Sequence, residues 1–124
     1  MDLVLHFLYA AGAVVCHQIP ERSFFIEGTQ LPVCARCTGL YLSGAAGLAG
    51  WLIWKTARRW HGRSIEPRAA LRLVVVAALP TALTVMTAGL GIWDGTNMTR
   101  ALLAVPLGLS AGGVVAAVFT KDLR

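Results

Sequence analysis

The sequence predicts an all-α, polytopic membrane protein, a bundle of four transmembrane helices that form a single domain over residues 1–124. Two observations lead to this fold class. First, 56% of the residues are hydrophobic and only 14% are charged, whereas soluble domains carry about 25% charged residues. Second, the apolar residues are gathered into long runs, and runs of roughly 18 residues or more are typical of membrane spans.

Four apolar runs define the predicted spans, at about residues 3–17, 34–54, 71–92 and 98–120. The first run is short and contains His6, which we expect to be a packed or interfacial residue. No Lys or Arg precedes this run and no Ala-x-Ala site ends it. We therefore expect a retained helix here and not a cleaved signal sequence.

The net charge of +5 does not indicate a nucleic-acid partner, because the basic residues are concentrated in one connection. The basic residues of this connection are Lys55, Arg58, Arg59, Arg63, Arg68 and Arg72. Glu66 is the only acidic residue among them. Lys121 and Arg124 close the chain. The positive-inside rule then places this connection and both termini in the cytoplasm. Tryptophans at an inner membrane interface fit the same orientation; they are Trp51, Trp54 and Trp60.

The predicted orientation places two connections outside the cell membrane, at residues 18–33 and in a short turn at residues 94–97. All three cysteines of the chain map to this outer face. The lipid bilayer is accordingly the expected surrounding of the spans, and the cysteines are expected on its extracytoplasmic side.

Small residues recur at every fourth position in two of the spans. The stripe in the fourth span consists of Ala104, Gly108, Gly112 and Ala116, and the stripe in the second consists of Gly39, Ser43 and Gly47. Small residues at this spacing let helix backbones approach closely. The stripes predict packing within one chain, or alternatively a homodimer.

The chemistry-bearing residues are Cys16, His17, Cys34 and Cys37, which lie within 22 residues of one another. Pro32 suits the first turn of a helix, so we expect Cys34 and Cys37 on one face at a helix start. The positive end of that helix, together with Arg36, favours thiolates there. Three Cys and one His form a tetrahedral set for zinc, with copper as the next choice.

Other outcomes stay open for these residues. Asp94 or Glu27 can replace His17 as the fourth ligand, because adjacent residues do not easily bind one ion together. Alternatively, the thiols form a disulfide between Cys34 and either Cys37 or Cys16, or they are inert.

Two arginines, Arg36 and Arg100, lie at predicted outer helix starts, where the helix dipole disfavours a cation. Asp94 can pair with Arg100, and Asn97 can cap the fourth helix. Alternatively, the two arginines hold an anion such as a lipid phosphate. Nearby in the outer loop, three residues are expected to orient the metal ligands; they are Glu21, Arg22 and Ser23.

Two stretches of this region resemble a family of small prokaryotic membrane proteins known as a domain of unknown function. The first reads Cys16-His17-Gln18-x-Pro20-Glu21-Arg22-Ser23-Phe24, and the second reads Pro32-Val33-Cys34-Ala35-Arg36-Cys37-Thr38-Gly39-x-Tyr41. Asp94-Gly95 with Asn97-x-x-Arg100 is similar to that family's second motif. The resemblance implies a helical membrane protein with a Cys/His motif, and it brings no activity with it.

The residues of the chain are compatible with three function classes, and none of the three assigns a catalytic residue. The first is a metal-binding membrane protein that uses the ion for structure, transport or metal-assisted chemistry. The second is a membrane thiol oxidoreductase that uses Cys34 and Cys37, similar in placement to quinone-linked enzymes. The third is a metal-dependent lipid-phosphate enzyme that uses Arg36 and Arg100.

The predicted orientation can be measured with single cysteines at Thr29 and Ser64, in a variant whose native cysteines are replaced by Ala. A membrane-impermeant maleimide added to intact cells should label Thr29→Cys and leave Ser64→Cys unlabelled, because residue 64 lies in the basic connection. Permeabilised cells, in which both positions should react, provide the control. Labelling of Ser64→Cys in intact cells would invert the proposed orientation.

Overall fold

The computed structural model describes residues 2–57 and 64–123 and is mostly helical. Its four α-helices are α1 (Asp2–Val15), α2 (Ala35–Ala57), α3 (Pro67–Gly89) and α4 (Asn97–Phe119), and a 3₁₀ helix spans Pro20–Arg22. Two short strands, β1 (Ser23–Ile26) and β2 (Thr29–Cys34), lie between α1 and α2. Several residues of the predicted inner basic and aromatic surface lie outside the described residues; they are Arg58, Arg59, Trp60, Arg63 and Arg124.

The hairpin of β1 and β2 corrects the all-α expectation. The strands pair antiparallel, with Ile26 opposite Thr29, and are joined by Glu27 and Gly28. Both of these residues have positive φ, at 49° and 81°, as a two-residue hairpin turn of type I′ requires.

Pro32 lies in β2, so the expected placement of this proline in the first turn of the second helix was wrong. A two-stranded sheet consists only of edge strands, where a residue without an N–H group is tolerated. Helix α2 begins at Ala35 instead. As a result, Cys34 ends a strand while Cys37 lies in the first helical turn.

Helices α2 and α4 pack backbone to backbone along the predicted small-residue stripes. A Cβ added at Gly112 would lie 2.0 Å from the Gly44 carbonyl oxygen, and one added at Gly39 would lie 2.2 Å from that of Ala101. All four stripe residues of α4 are buried. The stripes therefore pack within one chain, as the first of the two expectations had it.

Polar contacts also hold α2, α3 and α4 together. In α3, the Thr81 hydroxyl donates to the Leu103 carbonyl oxygen of α4 at 3.0 Å. At the far end from the cysteines, Lys55 forms an ion pair with Asp122 at 2.6 Å. The Ile65 N–H group donates to the Asp122 carbonyl oxygen, also at 2.6 Å.

Helix α1 meets the rest of the protein mainly at β2. Gly12 is its one buried residue, and a Cβ there would lie 2.2 Å from the Pro32 carbonyl oxygen. Most other side chains of α1 are exposed, among them Leu3 and Phe7. The helix thus presents an apolar surface on nearly all sides.

Within the described part of the chain, α3 and α4 are long and apolar enough to cross a membrane. Only 11% and 28% of their most apolar windows are buried, whereas a core helix of a soluble protein would be mostly buried. Helix α1 has 14 residues, or about 21 Å at 1.5 Å per residue, against a hydrocarbon core of about 30 Å. The structure thus supports two of the four predicted spans by length and composition.

The contact between α2 and α4 can be tested with two neighbouring glycines of α4. Gly112→Ala should destabilise the protein by about 1–3 kcal/mol, because the new methyl group forces two backbones apart. Gly113→Ala is the matched control, since a Cβ there has nothing within 4 Å. Unfolding in detergent should separate the two variants. Equal stability would show that α2 and α4 do not touch in this register.

Candidate metal centre

Three thiols from three different elements meet at one end of the bundle. Cys16 follows the last residue of α1, Cys34 ends β2, and Cys37 lies in the first turn of α2. Their sulfur atoms all lie within 4.8 Å of one another, and all three are free thiols. Metal–thiolate bonds of about 2.3 Å place sulfurs bound to one tetrahedral ion about 3.8 Å apart. The three thiols therefore lie close enough together to hold a metal ion after a small adjustment.

The Cys16 sulfur accepts a hydrogen bond from the backbone of β2. The Cys34 N–H group donates to it at 3.2 Å. Burial of the thiol works against ionisation, but interactions with the backbone of Gln18 and Cys34 and with the two neighbouring thiols outweigh it and lower the pKa of Cys16 below its usual value. The surroundings of Cys16 thus favour a thiolate at this one position, the form that binds metals.

Gln18 holds the loop that carries Cys16. Its side-chain amide donates to the carbonyl oxygens of Tyr9 and Pro32, both at 2.8 Å. The backbone carbonyl oxygen of Gln18 accepts from the Gln30 side chain at 2.9 Å. The backbone of Gln18 has a positive φ of 49°. Helix α1, the loop and β2 are therefore linked through this single residue.

The proposed fourth ligands do not join the thiols in the structure. Among the described residues, no His, Asp or Glu side chain belongs to the group of three cysteines. His17 is exposed beside Cys16, and Glu27 is exposed at the hairpin turn. Asp94 pairs with Arg100 instead, with 2.5 Å between its carboxylate oxygen and Nη2.

Arg100 is only 6% exposed, and each of its three side-chain nitrogens has a protein partner. Its Nε donates to the Asp94 carbonyl oxygen at 2.8 Å, and its Nη1 donates to Asn97 Oδ1 at 3.1 Å. Arg22 adds a longer ion pair to Asp94 at 3.5 Å. This arrangement accounts for a cation at a helix start without any anion from solution.

The cap of α4 corrects a detail of the sequence interpretation. Thr96 is the N-cap, because its hydroxyl accepts from the Thr99 N–H group at 3.2 Å. Asn97 follows the cap and donates to the Ser23 carbonyl oxygen at 3.1 Å. Asn97 therefore joins α4 to the hairpin and does not cap the helix.

The remaining predicted site residues are Ser23, Arg36 and Glu21. Ser23 is 2% exposed, pairs with Cys34 in the sheet, and accepts from the Gln30 side chain at 3.2 Å. Arg36 donates through Nη2 to the Thr84 hydroxyl at 3.4 Å, and its Nε is buried without a partner. Glu21 is exposed at the rim of a polar pocket that Arg22 also lines.

Sequence reasoning gave no role to Gln18 or Gln30. Gln18 directly follows Cys16-His17 in the stretch that resembles the small membrane family. This position in the motif was the one feature of the sequence that could have indicated a role for Gln18. Nothing in the chain around Gln30 indicated its contacts, because they depend on a hairpin that was not expected.

The ion pair between Asp94 and Arg100 has a consequence for stability against pH. The hydrogen bond from Arg100 holds the pKa of Asp94 below its usual value. A depressed pKa gives stability that is present above the unfolded-state value and is lost as pH falls through the folded-state value. Asp94→Asn should therefore flatten the fall in melting temperature below about pH 4, whereas the exposed neighbour Glu21→Gln should not. Parallel acid titrations of both variants would contradict this role of Asp94.

Comparison with known proteins places the chain in a family. Residues 16–114 match the family model described as "Predicted membrane protein (DUF2085)". An uncharacterized protein of Methanocaldococcus jannaschii is 34% identical over 93 residues, which are 75% of this chain and 56% of that protein. An uncharacterized protein of Methanothermobacter thermautotrophicus is 31% identical over 112 residues, 89% of this chain and 87% of that protein.

The chain thus spans just over half the length of the first relative and most of the second. No solved structure matches. The matched residues include all three cysteines, the hairpin and Arg100. The chain belongs to the DUF2085 family of membrane proteins.

Proposed function

We propose that this membrane protein binds a thiophilic metal ion through Cys16, Cys34 and Cys37, with zinc favoured and copper next. The observation that carries the proposal is the approach of three sulfur atoms from three separate elements to within 4.8 Å. Thiolates are the ligands that zinc and copper(I) share. The ion would serve transport or metal-assisted chemistry.

The surroundings of the thiols support a metal better than packing alone. The Cys34 N–H group donates to the Cys16 sulfur, an arrangement that stabilises a negative sulfur. An inert buried thiol needs no such donor. In addition, Gln18 fixes the loop through hydrogen bonds to two carbonyl groups, which suits a site whose ligands must be held in place.

The location of the site within the membrane is also a proposal. Helices α3 and α4 are apolar enough to span, and we propose that α1 and α2 complete a four-span bundle. The basic residues Lys55, Arg68 and Arg72 lie at or near the helix ends opposite the cysteines. The positive-inside rule then assigns the cysteines to the extracytoplasmic face.

A thiol oxidoreductase is the second candidate, because the same proximity of sulfurs that suits a metal also suits a disulfide between two of them. Closing such a bond shortens a sulfur–sulfur distance to about 2.05 Å and leaves the third thiol free. An enzyme that shuttles electrons through two cysteine pairs does not fit a chain with three cysteines.

Metal analysis of the full-length protein, purified in detergent without chelator, tests the proposal. We expect about one zinc or copper ion per chain and a loss of most of that metal in each of Cys16→Ala, Cys34→Ala and Cys37→Ala. Melting temperature should fall in parallel, because an ion that binds only the folded state stabilises it. His6→Ala is the control, since His6 is exposed and hydrogen-bonds the Asp2 carbonyl oxygen within its own helix.

A free-thiol count on the same samples separates the two candidates. Metal-bound protein should show three reactive thiols after unfolding with chelator, in agreement with the number of cysteines. A disulfide between Cys34 and Cys37 in metal-free protein would instead favour the oxidoreductase.

A further inference from the structure

We infer that the metal centre is coordinatively open. Three protein thiolates hold a divalent ion, and the fourth coordination position takes a small neutral ligand from solution, such as water or imidazole. The inference rests on the proposed metal-binding function and names the kind of ligand the bound ion accepts. It follows from the number of donors, from their charge and from the position of His17.

The first step is the donor count. Among residues 2–57 and 64–123, the group of potential ligands within reach of one another consists of three sulfurs alone. Asp94 is engaged by Arg100 and Arg22, and Glu27 lies exposed at the tip of the hairpin. Zinc in proteins is almost always four-coordinate in its structural sites, so the described ligand set falls one donor short.

The second step concerns His17, the nearest candidate along the chain. Its side chain is exposed, whereas the neighbouring Cys16 is half-buried. Cys16 accepts a hydrogen bond from the Cys34 N–H group, and Gln18 is fixed by three hydrogen bonds. The backbone on both sides of His17 is thus restrained while its ring lies in solvent, which leaves the fourth position to another donor.

The third step is the charge. Three thiolates and a divalent ion carry a net charge of −1, and a fourth anionic ligand would raise this to −2 among half-buried cysteines. Arg36, the cation between Cys34 and Cys37 in the chain, donates to Thr84 and not to a sulfur. Because burying unpaired charge is costly, a neutral donor such as water or imidazole is preferred over a further thiolate.

An open position distinguishes this centre from a structural zinc site. Closed sites with four protein ligands fix a fold, whereas sites with three protein ligands keep a position for water or substrate. The neutral nitrogen of an imidazole is therefore the class of ligand that the centre should accept from solution. A histidine of a partner protein would present the same chemistry.

Cobalt(II) substitution tests the inference, because the visible bands of cobalt report its ligands. The full-length protein is loaded with cobalt in detergent and titrated with imidazole. We expect a saturable shift of these bands, with the same starting spectrum and the same midpoint in wild type and in His17→Ala. Glu27→Gln, a second exposed variant, should also match wild type.

Three results would overturn the inference. A wild-type spectrum that does not respond to imidazole would mean a closed site. A changed starting spectrum in His17→Ala would make His17 the fourth ligand. Tighter binding of 2-mercaptoethanol than of imidazole would contradict the preference for a neutral donor.

The failure of the proposed function would look different. Cobalt that does not bind to wild type, or that binds equally to Cys16→Ala and Cys37→Ala, would remove the metal centre itself. In the results that overturn only the inference, the three cysteines still hold cobalt and only the identity of the fourth ligand changes.

Discussion

The close approach of α2 and α4 is the constraint on which the rest of the structure depends. Carbonyl oxygens of one helix lie where a side chain of the other would begin, as at Gly39 and Gly112. The approach fixes where the first turn of α2, with Cys37, stands relative to the first turn of α4, with Arg100. In this way a contact without large side chains positions the polar end of the protein.

A second layer of organisation comes from hydrogen bonds to backbone carbonyl groups. Gln18 donates to Tyr9 and Pro32, and Asn97 donates to Ser23. Because the acceptors are backbone carbonyl oxygens, these bonds do not depend on which side chain the accepting residue carries. They hold α1, the hairpin and α4 together at the end of the bundle that carries the cysteines.

The sequence predicted the packing along the small-residue stripes, the approach of the three cysteines and the pairing of Asp94 with Arg100. Each of these features depends on residue type and on spacing along the chain. The hairpin was missed because β1 and β2 are only four and six residues long and a proline in β2 is equally typical of a helix start. The exclusion of His17 from the thiol group and the contacts of Gln18 depend on a loop with a positive φ, which apolar periodicity does not report.

The order of the three thiols and the helices along the chain has a consequence for how the protein is made. All three thiols precede most of α2, whereas α4, which covers the small-residue face of α2, follows α2 and α3 in the chain and is synthesised after them. Chains emerge from the ribosome at about 5–20 residues per second, N-terminal parts first. The three thiols are therefore all present while α2 still lacks its packing partner, so an ion that bound them at that stage would join α1 and α2 before the bundle closes.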